Sequence, residues 1–371
     1  MINLFFQDNN NKYLKKINNF FKNDLWVNGK IVNKFEKNIE KKFKLNLKAC
    51  SCNSGSDALM LALKLDQHKT KDIYLTTPLS YIASSSIAKF LNLELIYIDV
   101  EKNNYLLDLN KLESFLENCN KSILKRIKGV INVEIFGSTN DLFKLKRIAK
   151  KYNLSLIGDC SQSLGTLFNG KLSLDYYDFS VVSFYPTKIL SAYGDAGMIF
   201  VKKKLKTKTL LMKNNGHSNI DKKDCKLLGI NSRMDSFQAY ILNNKLKKLD
   251  KIINIKKKYA DLLKKNLPKS FTSPTINSKV TPNNYLISFY IEPSKKNFFI
   301  EYMKKGNINC RTIYEKLLNE NKVLKPIIKT NLDNAIKCKK SLITVPCHEN
   351  LSEKQLKFII KKIKEFEFKF N

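Results

Sequence analysis

Arginine is nearly missing from this chain. Of 67 Lys and Arg, only Arg126, Arg147, Arg233 and Arg311 are arginine. Acidic residues number 33, and the formal net charge is +34. A charge of that size by itself suggests a nucleic acid or an anionic membrane as partner. The scarcity of Arg argues against a dedicated polyanion site, because Arg is the side chain suited to bidentate phosphate and base contacts. Abundant Lys, Asn and Ile point to an A+T-rich genome instead. Histidine occurs three times and Trp once. The eight Cys are scattered with no CxxC pair, so no zinc pattern arises. A reduced, cytoplasmic chain with free thiols is expected. No run approaches the roughly 18 apolar residues of a membrane span, and the first residues lack a secretory leader pattern. Neither a membrane nor a specific nucleic acid is expected as a partner, nor a bound metal.

Apolar residues make up 43% of the 371 positions. That suffices for a sizeable core and about two domains. From about residue 45 to 201, short apolar runs alternate with helix-like segments. Strands are expected at Leu47–Ser51, Ile73–Thr76, Leu95–Ile98, Gly129–Val133 and Leu154–Ile157. Helices are expected between them at Asp57–Leu65, Ile82–Leu91, Leu109–Leu116 and Leu142–Lys150. The alternation predicts a mostly parallel α/β sheet covered by helices on both faces. Beyond Arg233 the texture changes. Gln238–Lys258 reads as one long helix with exposed Lys. An aromatic strand at Tyr285–Ile291, a helix near Asn297–Lys305 and a terminal helix at Glu353–Phe366 suggest a smaller α+β domain. The chain is divided here into a large domain, residues 1–245, and a small one, residues 246–371. The first forty residues read as partly helical and amphipathic.

Four segments of the chain could carry chemistry. Asn53-Ser54-Gly55-Ser56-Asp57 lies between a strand and a helix, where small residues and free N–H groups suit a phosphate; the same residues also suit an ordinary N-cap. Asp159 follows a strand, placed for a cofactor nitrogen or again for a helix cap. Lys188 sits in Ser183-Phe184-Tyr185-Pro186-Thr187-Lys188, followed by Tyr193-Gly194-Asp195-Ala196-Gly197. Partial burial there would make its amine nucleophilic, although an isolated Lys among so many reads as surface. Asn231-Ser232-Arg233 holds one of the rare arginines at a turn.

Taken in order, these sites resemble the pyridoxal-phosphate-dependent DegT/DnrJ/EryC1/StrS sugar aminotransferases. The resemblance spans almost the whole chain. It includes Trp26-Val27-Asn28-Gly29, Phe35-Glu36, Thr77-Pro78-Leu79-Ser80-Tyr81, Phe136-Gly137 and Val345-Pro346-Cys347-His348. It implies the aspartate-aminotransferase fold (fold type I), with a large domain around a mostly parallel sheet and a smaller C-terminal α+β domain. It implies pyridoxal 5′-phosphate as cofactor, passing through pyridoxamine 5′-phosphate between two half-reactions. Lys188 would bind the cofactor covalently and move the proton, and a His in its place would mark the family's dehydratases. Asp159 would pair with the ring nitrogen. Tyr81 would stack on the ring, and Gln162 would lie near its phenolic oxygen. Gly55, Ser56 and Ser183 would hold the phosphate. Asn231 would reach the neighbouring subunit's cofactor, which implies a homodimer with shared active sites. Substrate contacts would fall to Tyr193, Arg233, Tyr314 and His348.

The implied reaction moves an amino group from an amino acid, L-glutamate, to a UDP- or dTDP-linked keto-sugar, for amino-sugar and surface-glycan synthesis. The motif around Lys188 resembles the 3-aminotransferase branch more than the 4-aminotransferases, and Phe5–Tyr13 leans the same way. Three departures stand out. Ile313-Tyr314-Glu315 occupies the place of a His-Tyr-Pro. Asn215-Gly216 stands for His-Gly, with His217 displaced by one, and Gly158 replaces a common acidic residue.

Overall fold

A computed structural model of the chain describes residues 1–7, 13, 24–218 and 224–370. Residues 8–12 of the stretch from Phe5 to Tyr13, and 14–23 of the early segment expected to be partly helical, lie outside these residues. Helix α1 (Lys30–Phe43) leads into β1 (Lys48–Cys52), α2 (Gly55–Leu65), β2 (Ile73–Thr76), α3 (Ala83–Phe90) and β3 (Glu94–Tyr97). Then follow α4 (Leu109–Asn118), β4 (Ile127–Val133), α5 (Leu142–Lys151), β5 (Ser155–Asp159), β6 (Phe179–Ser183) and β7 (Gly197–Val201). Among the described residues, these seven strands form one sheet in the order β1-β7-β6-β5-β4-β2-β3. β3, β2, β4, β5 and β6 pair in parallel, and β7 runs antiparallel to both of its neighbours.

The strands read as unbroken apolar runs because both faces are covered. Leu75, Val130 and Val182 pack into one core, while their neighbours Tyr74, Ile131 and Val181 pack into the other. Elements lie where the alternation placed them, with shifted ends. Helix α2 starts at Gly55, ahead of the expected Asp57, because the Ser54 side chain accepts the Asp57 N–H at 3.1 Å and caps it.

The expected long helix at Gln238–Lys258 is two helices, α6 (Ser236–Leu246) and α7 (Leu249–Lys265). No Pro or Gly marks the break. Helix α6 is buried almost all round, whereas α7 buries one stripe. Leu249 joins the large core, while Tyr259, Ala260 and Leu263 join a separate core with Phe289, Phe299 and Ile359. Bending at Lys247-Lys248 lets the chain serve both. Lys245 and Lys256 are buried rather than exposed, donating to Ser191 Oγ at 3.0 Å and to the Cys347 carbonyl at 2.6 Å.

Beyond α7, β8 (Ile287–Tyr290) and β9 (Leu342–Val345) pair antiparallel, with α8 (Pro293–Lys305), α9 (Asp333–Ser341) and α10 (Glu353–Phe370) alongside. Strand β8 is shorter than the expected Tyr285–Ile291. The Asn283 side chain accepts the Tyr285 N–H at 2.8 Å, and Tyr285 and Leu286 line a cavity together with Asp159 and Ser183 of the seven-stranded sheet. Among the described residues, no helix is long and apolar enough to cross a membrane.

Candidate active site

A parallel sheet leaves its strands' carboxyl ends facing a crevice. Here β4 ends at Val133, β5 at Asp159 and β6 at Ser183, and all three residues line one cavity of about 730 Å³. Gly55, Ser56, Tyr81, Gln162, Lys188 and Tyr314 line the same cavity. Eight of the expected site residues thus converge from segments far apart in sequence.

Gly55 and Ser56 form the first turn of α2, where backbone N–H groups lack intrahelical partners. A Cβ on Gly55 would lie 2.8 Å from Ser183 Cβ. Only a bare backbone fits between helix and strand there, and the free N–H groups of this first turn suit an anion in the cavity that Gly55 and Ser56 line. Asp159 is 9% exposed. Its Oδ2 accepts from Ser84 Oγ at 2.7 Å, and its Oδ1 accepts from the Ser161 N–H at 3.2 Å. Gln162 accepts the Phe136 N–H at 2.7 Å and donates to the Tyr314 hydroxyl at 3.1 Å. Burial first, then neighbouring Tyr285, pushes the Tyr314 phenol above its ordinary range, so it stays protonated.

Lys188 is half-buried, and its Nζ lies 5.1 Å from the centre of the Tyr285 ring. The loop that carries it is closed by bonds from the Lys188 N–H to the Tyr185 carbonyl (2.8 Å) and from the Ala192 N–H to the Phe184 carbonyl (2.7 Å). Tyr81 is 58% exposed at the mouth, its ring centre 6.4 Å from that of Tyr314.

Under the floor lies Glu134, completely buried. Its carboxylate accepts from Thr139 at 2.6 Å, Ser173 at 2.6 Å, Tyr177 at 2.8 Å and also from Ser163. Its N–H donates to the Asp159 carbonyl at 3.0 Å. Burial raises its pKa, against the four hydroxyls that lower it. Gly158 departs from the family pattern for a steric reason. A Cβ there would meet the Tyr177 ring at 2.5 Å, and Tyr177 is needed by Glu134.

Four expected residues do not line this cavity. Asn231 and Arg233 lie on the surface, bonded to each other (Arg233 Nε to Asn231 Oδ1, 2.9 Å). Between them Ser232 is fully buried and donates to Asp57 Oδ2 at 2.8 Å, tying this turn to the start of α2. Tyr193 exchanges bonds with Gln238, at 2.8 and 3.2 Å. His348 lines a small neighbouring pocket with Lys188, stacked on Phe6 at 5.6 Å, and makes a 3.2 Å contact with the Asn3 carbonyl. The Phe35-Glu36 run is architectural. Glu36 is buried and accepts from both the N–H and the hydroxyl of Ser51, at 2.8 and 2.7 Å.

Phe5, Tyr285 and Arg311 also line the cavity and were not among the expected contacts. The rarity of Arg could have flagged Arg311. Nothing local marks Tyr285, which arrives through the turn after Asn283.

A sequence model of the DegT/DnrJ/EryC1/StrS aminotransferase family matches residues 7–364. A UDP-4-amino-4,6-dideoxy-N-acetyl-beta-L-altrosamine transaminase of Campylobacter jejuni is 28% identical over 346 residues, 91% of this chain and 90% of that one. A UDP-2-acetamido-2-deoxy-3-oxo-D-glucuronate aminotransferase of Pseudomonas aeruginosa is 30% identical over 210 residues, 57% of this chain and 56% of that one. A Streptococcus pneumoniae chain solved in its PLP form shares the fold, with TM-score 0.89 at 18% identity over 99% of both chains.

Proposed function

Because the chain belongs to the DegT/DnrJ/EryC1/StrS aminotransferase family, we propose that it moves an amino group from L-glutamate to C3 of a UDP- or dTDP-linked keto-sugar. The observation that carries this reading is the convergence of Lys188, Asp159 and the open start of α2 in one cavity. The run from Ser183 to Gly197 supports C3. A second reading, amination at C4, is favoured by the near full-length match to the Campylobacter enzyme.

Pyridoxal 5′-phosphate is the cofactor, and the residues present fit it. The cradle beside Gly55 is open to a phosphate, and a buried carboxylate and a half-buried amine lie in the same cavity. When bound, the cofactor supplies an electrophilic carbon and an electron-withdrawing ring. In this assignment Gly55, Ser56 and Ser183 hold the phosphate. Asp159 faces the ring nitrogen, held in place by Ser84 and the Ser161 N–H. Tyr81 covers one face of the ring, and Gln162 lies near its phenolic oxygen. Lys188 Nζ would hold the cofactor and carry the proton between the substrate carbon and the cofactor. That role suits a short loop closed on itself, because proton transfer requires the base within hydrogen-bond reach. Asn231, exposed and turned from its own cavity, completes the phosphate site of a second subunit in a homodimer.

Purified protein is expected to take up pyridoxal phosphate with a visible absorbance band that Lys188→Ala loses. NMR of products from 3-keto and 4-keto nucleotide sugars, with glutamate as donor, reads the position. Exclusive turnover of the 4-keto sugar would overturn the C3 assignment, and wild-type protein that never takes up the cofactor would overturn the whole reading.

A further inference from the structure

Two cationic side chains line the cavity, Lys188 and Arg311. Under the function proposed above, on which this inference rests, Lys188 is committed to the amino-transfer step. Both substrates are anions, and among the described residues of this chain Arg311 is the other cation on that cavity.

Arg311 is built to do so. Its N–H donates to the Thr344 carbonyl at 3.1 Å and its carbonyl accepts from the Thr344 N–H at 2.8 Å, which locks its backbone against β9. Its Nε donates to Asn309 Oδ1 at 3.2 Å and orients the guanidinium. Among the described residues, neither terminal nitrogen has a hydrogen bond, and no carboxylate pairs with it. The other three arginines are engaged elsewhere. Arg126 donates to the Lys71 carbonyl, Arg147 pairs with Glu113, and Arg233 holds Asn231. On the same stretch Ile313 offers no polar group, the Tyr314 hydroxyl is taken by Gln162, and Thr312 and Glu315 also line the cavity. An unpaired planar fork in a chain that otherwise uses Lys matches bidentate phosphate geometry, which an ammonium cannot copy.

Its position selects the ligand. An amino acid bears its carboxylate on the carbon that loses the amine, so that carboxylate lies beside Lys188. A nucleotide sugar bears its diphosphate on C1, separated from C3 by one ring carbon, so the diphosphate reaches farther out than the donor's carboxylate does. Arg311 is exposed to solvent while lining the cavity. We propose that Arg311 binds the diphosphate of the nucleotide-linked sugar.

The test titrates cofactor-loaded protein with UDP and with dTDP by calorimetry, in wild type, Arg311→Gln and Arg311→Lys. At least one nucleotide is expected to bind wild type, about tenfold to a hundredfold more weakly to Arg311→Gln, with Arg311→Lys between. The rate at which glutamate alone bleaches the cofactor absorbance is expected to stay within about twofold of wild type. Nucleotide affinity unchanged in Arg311→Gln, binding of neither nucleotide to wild type, or a loss confined to the glutamate step would each overturn the proposal. The glutamate outcome would assign Arg311 to the donor's carboxylate. Failure of the amino-transfer reading shows separately, as wild type without a cofactor band.

Discussion

Glu134 shows how a single residue outside the cavity can hold it together. A carboxylate taken fully out of water costs several kcal/mol unless its oxygens are satisfied. Four hydroxyls satisfy it and, together with the Glu134 N–H bond to the Asp159 carbonyl, join β4, the turn at 160–166 and Tyr177 into one unit. Its pKa is raised above the ordinary 4.5 by burial. A raised folded value means that the native state holds its proton to higher pH than the unfolded chain does. The contribution to stability is therefore full below about 4.5 and is lost as pH rises through the folded value. Urea unfolding of wild type and Glu134→Gln at about pH 5 and about pH 7.5 should show the lead of wild type narrowing with pH. A lead that widens would sink this account. Candidate residues were legible where a motif carried them, as for Asp159 and Lys188, which line one cavity. Glu134 was not, because its hydroxyl partners come from positions 139, 163, 173 and 177 and no spacing rule connects them.

At the scale of elements, the start of α2 is the decisive joint. It depends on the Ser54 cap and on a close approach to β6 that excludes a side chain at Gly55. Gly55→Ala should force helix and strand apart, with about 1–3 kcal/mol lost to overpacking. The cofactor's dissociation constant should rise at least about tenfold, read from absorbance retained after gel filtration. Cofactor held as tightly as in wild type would show that this start is not the phosphate cradle. Strand and helix order was legible because doubly covered strands are apolar throughout and helices keep their period. The break between α6 and α7 was not, since it answers to two separate cores and to no local breaker.

At the scale of the whole molecule, the shared-site homodimer makes a prediction of its own. If Asn231 serves the partner's cavity, inactive Lys188→Ala and Asn231→Ala subunits should complement on mixing. One site in each mixed dimer is then intact, so random exchange restores about a quarter of wild-type activity. Complete absence of rescue, with exchange verified, would place Asn231 outside the partner's site. The charge of +34 also reads differently at this scale. It is carried by Lys on helix surfaces, and the cation singled out for a ligand is one of four Arg. The order of elements and the family were legible in the sequence by itself, the first from periodicity and the second from a resemblance carried by contiguous motifs, and the same motifs flagged Asp159, Lys188, Gly55 and Gln162 as candidates for the site. Which residues face one another across the cavity was decided only by the tertiary structure. Tyr285 came to lie under Lys188, Glu134 under Asp159, and Arg311 beside Tyr314. Those pairs join positions well separated in the chain or depend on a turn's direction, and local spacing carries no information about either.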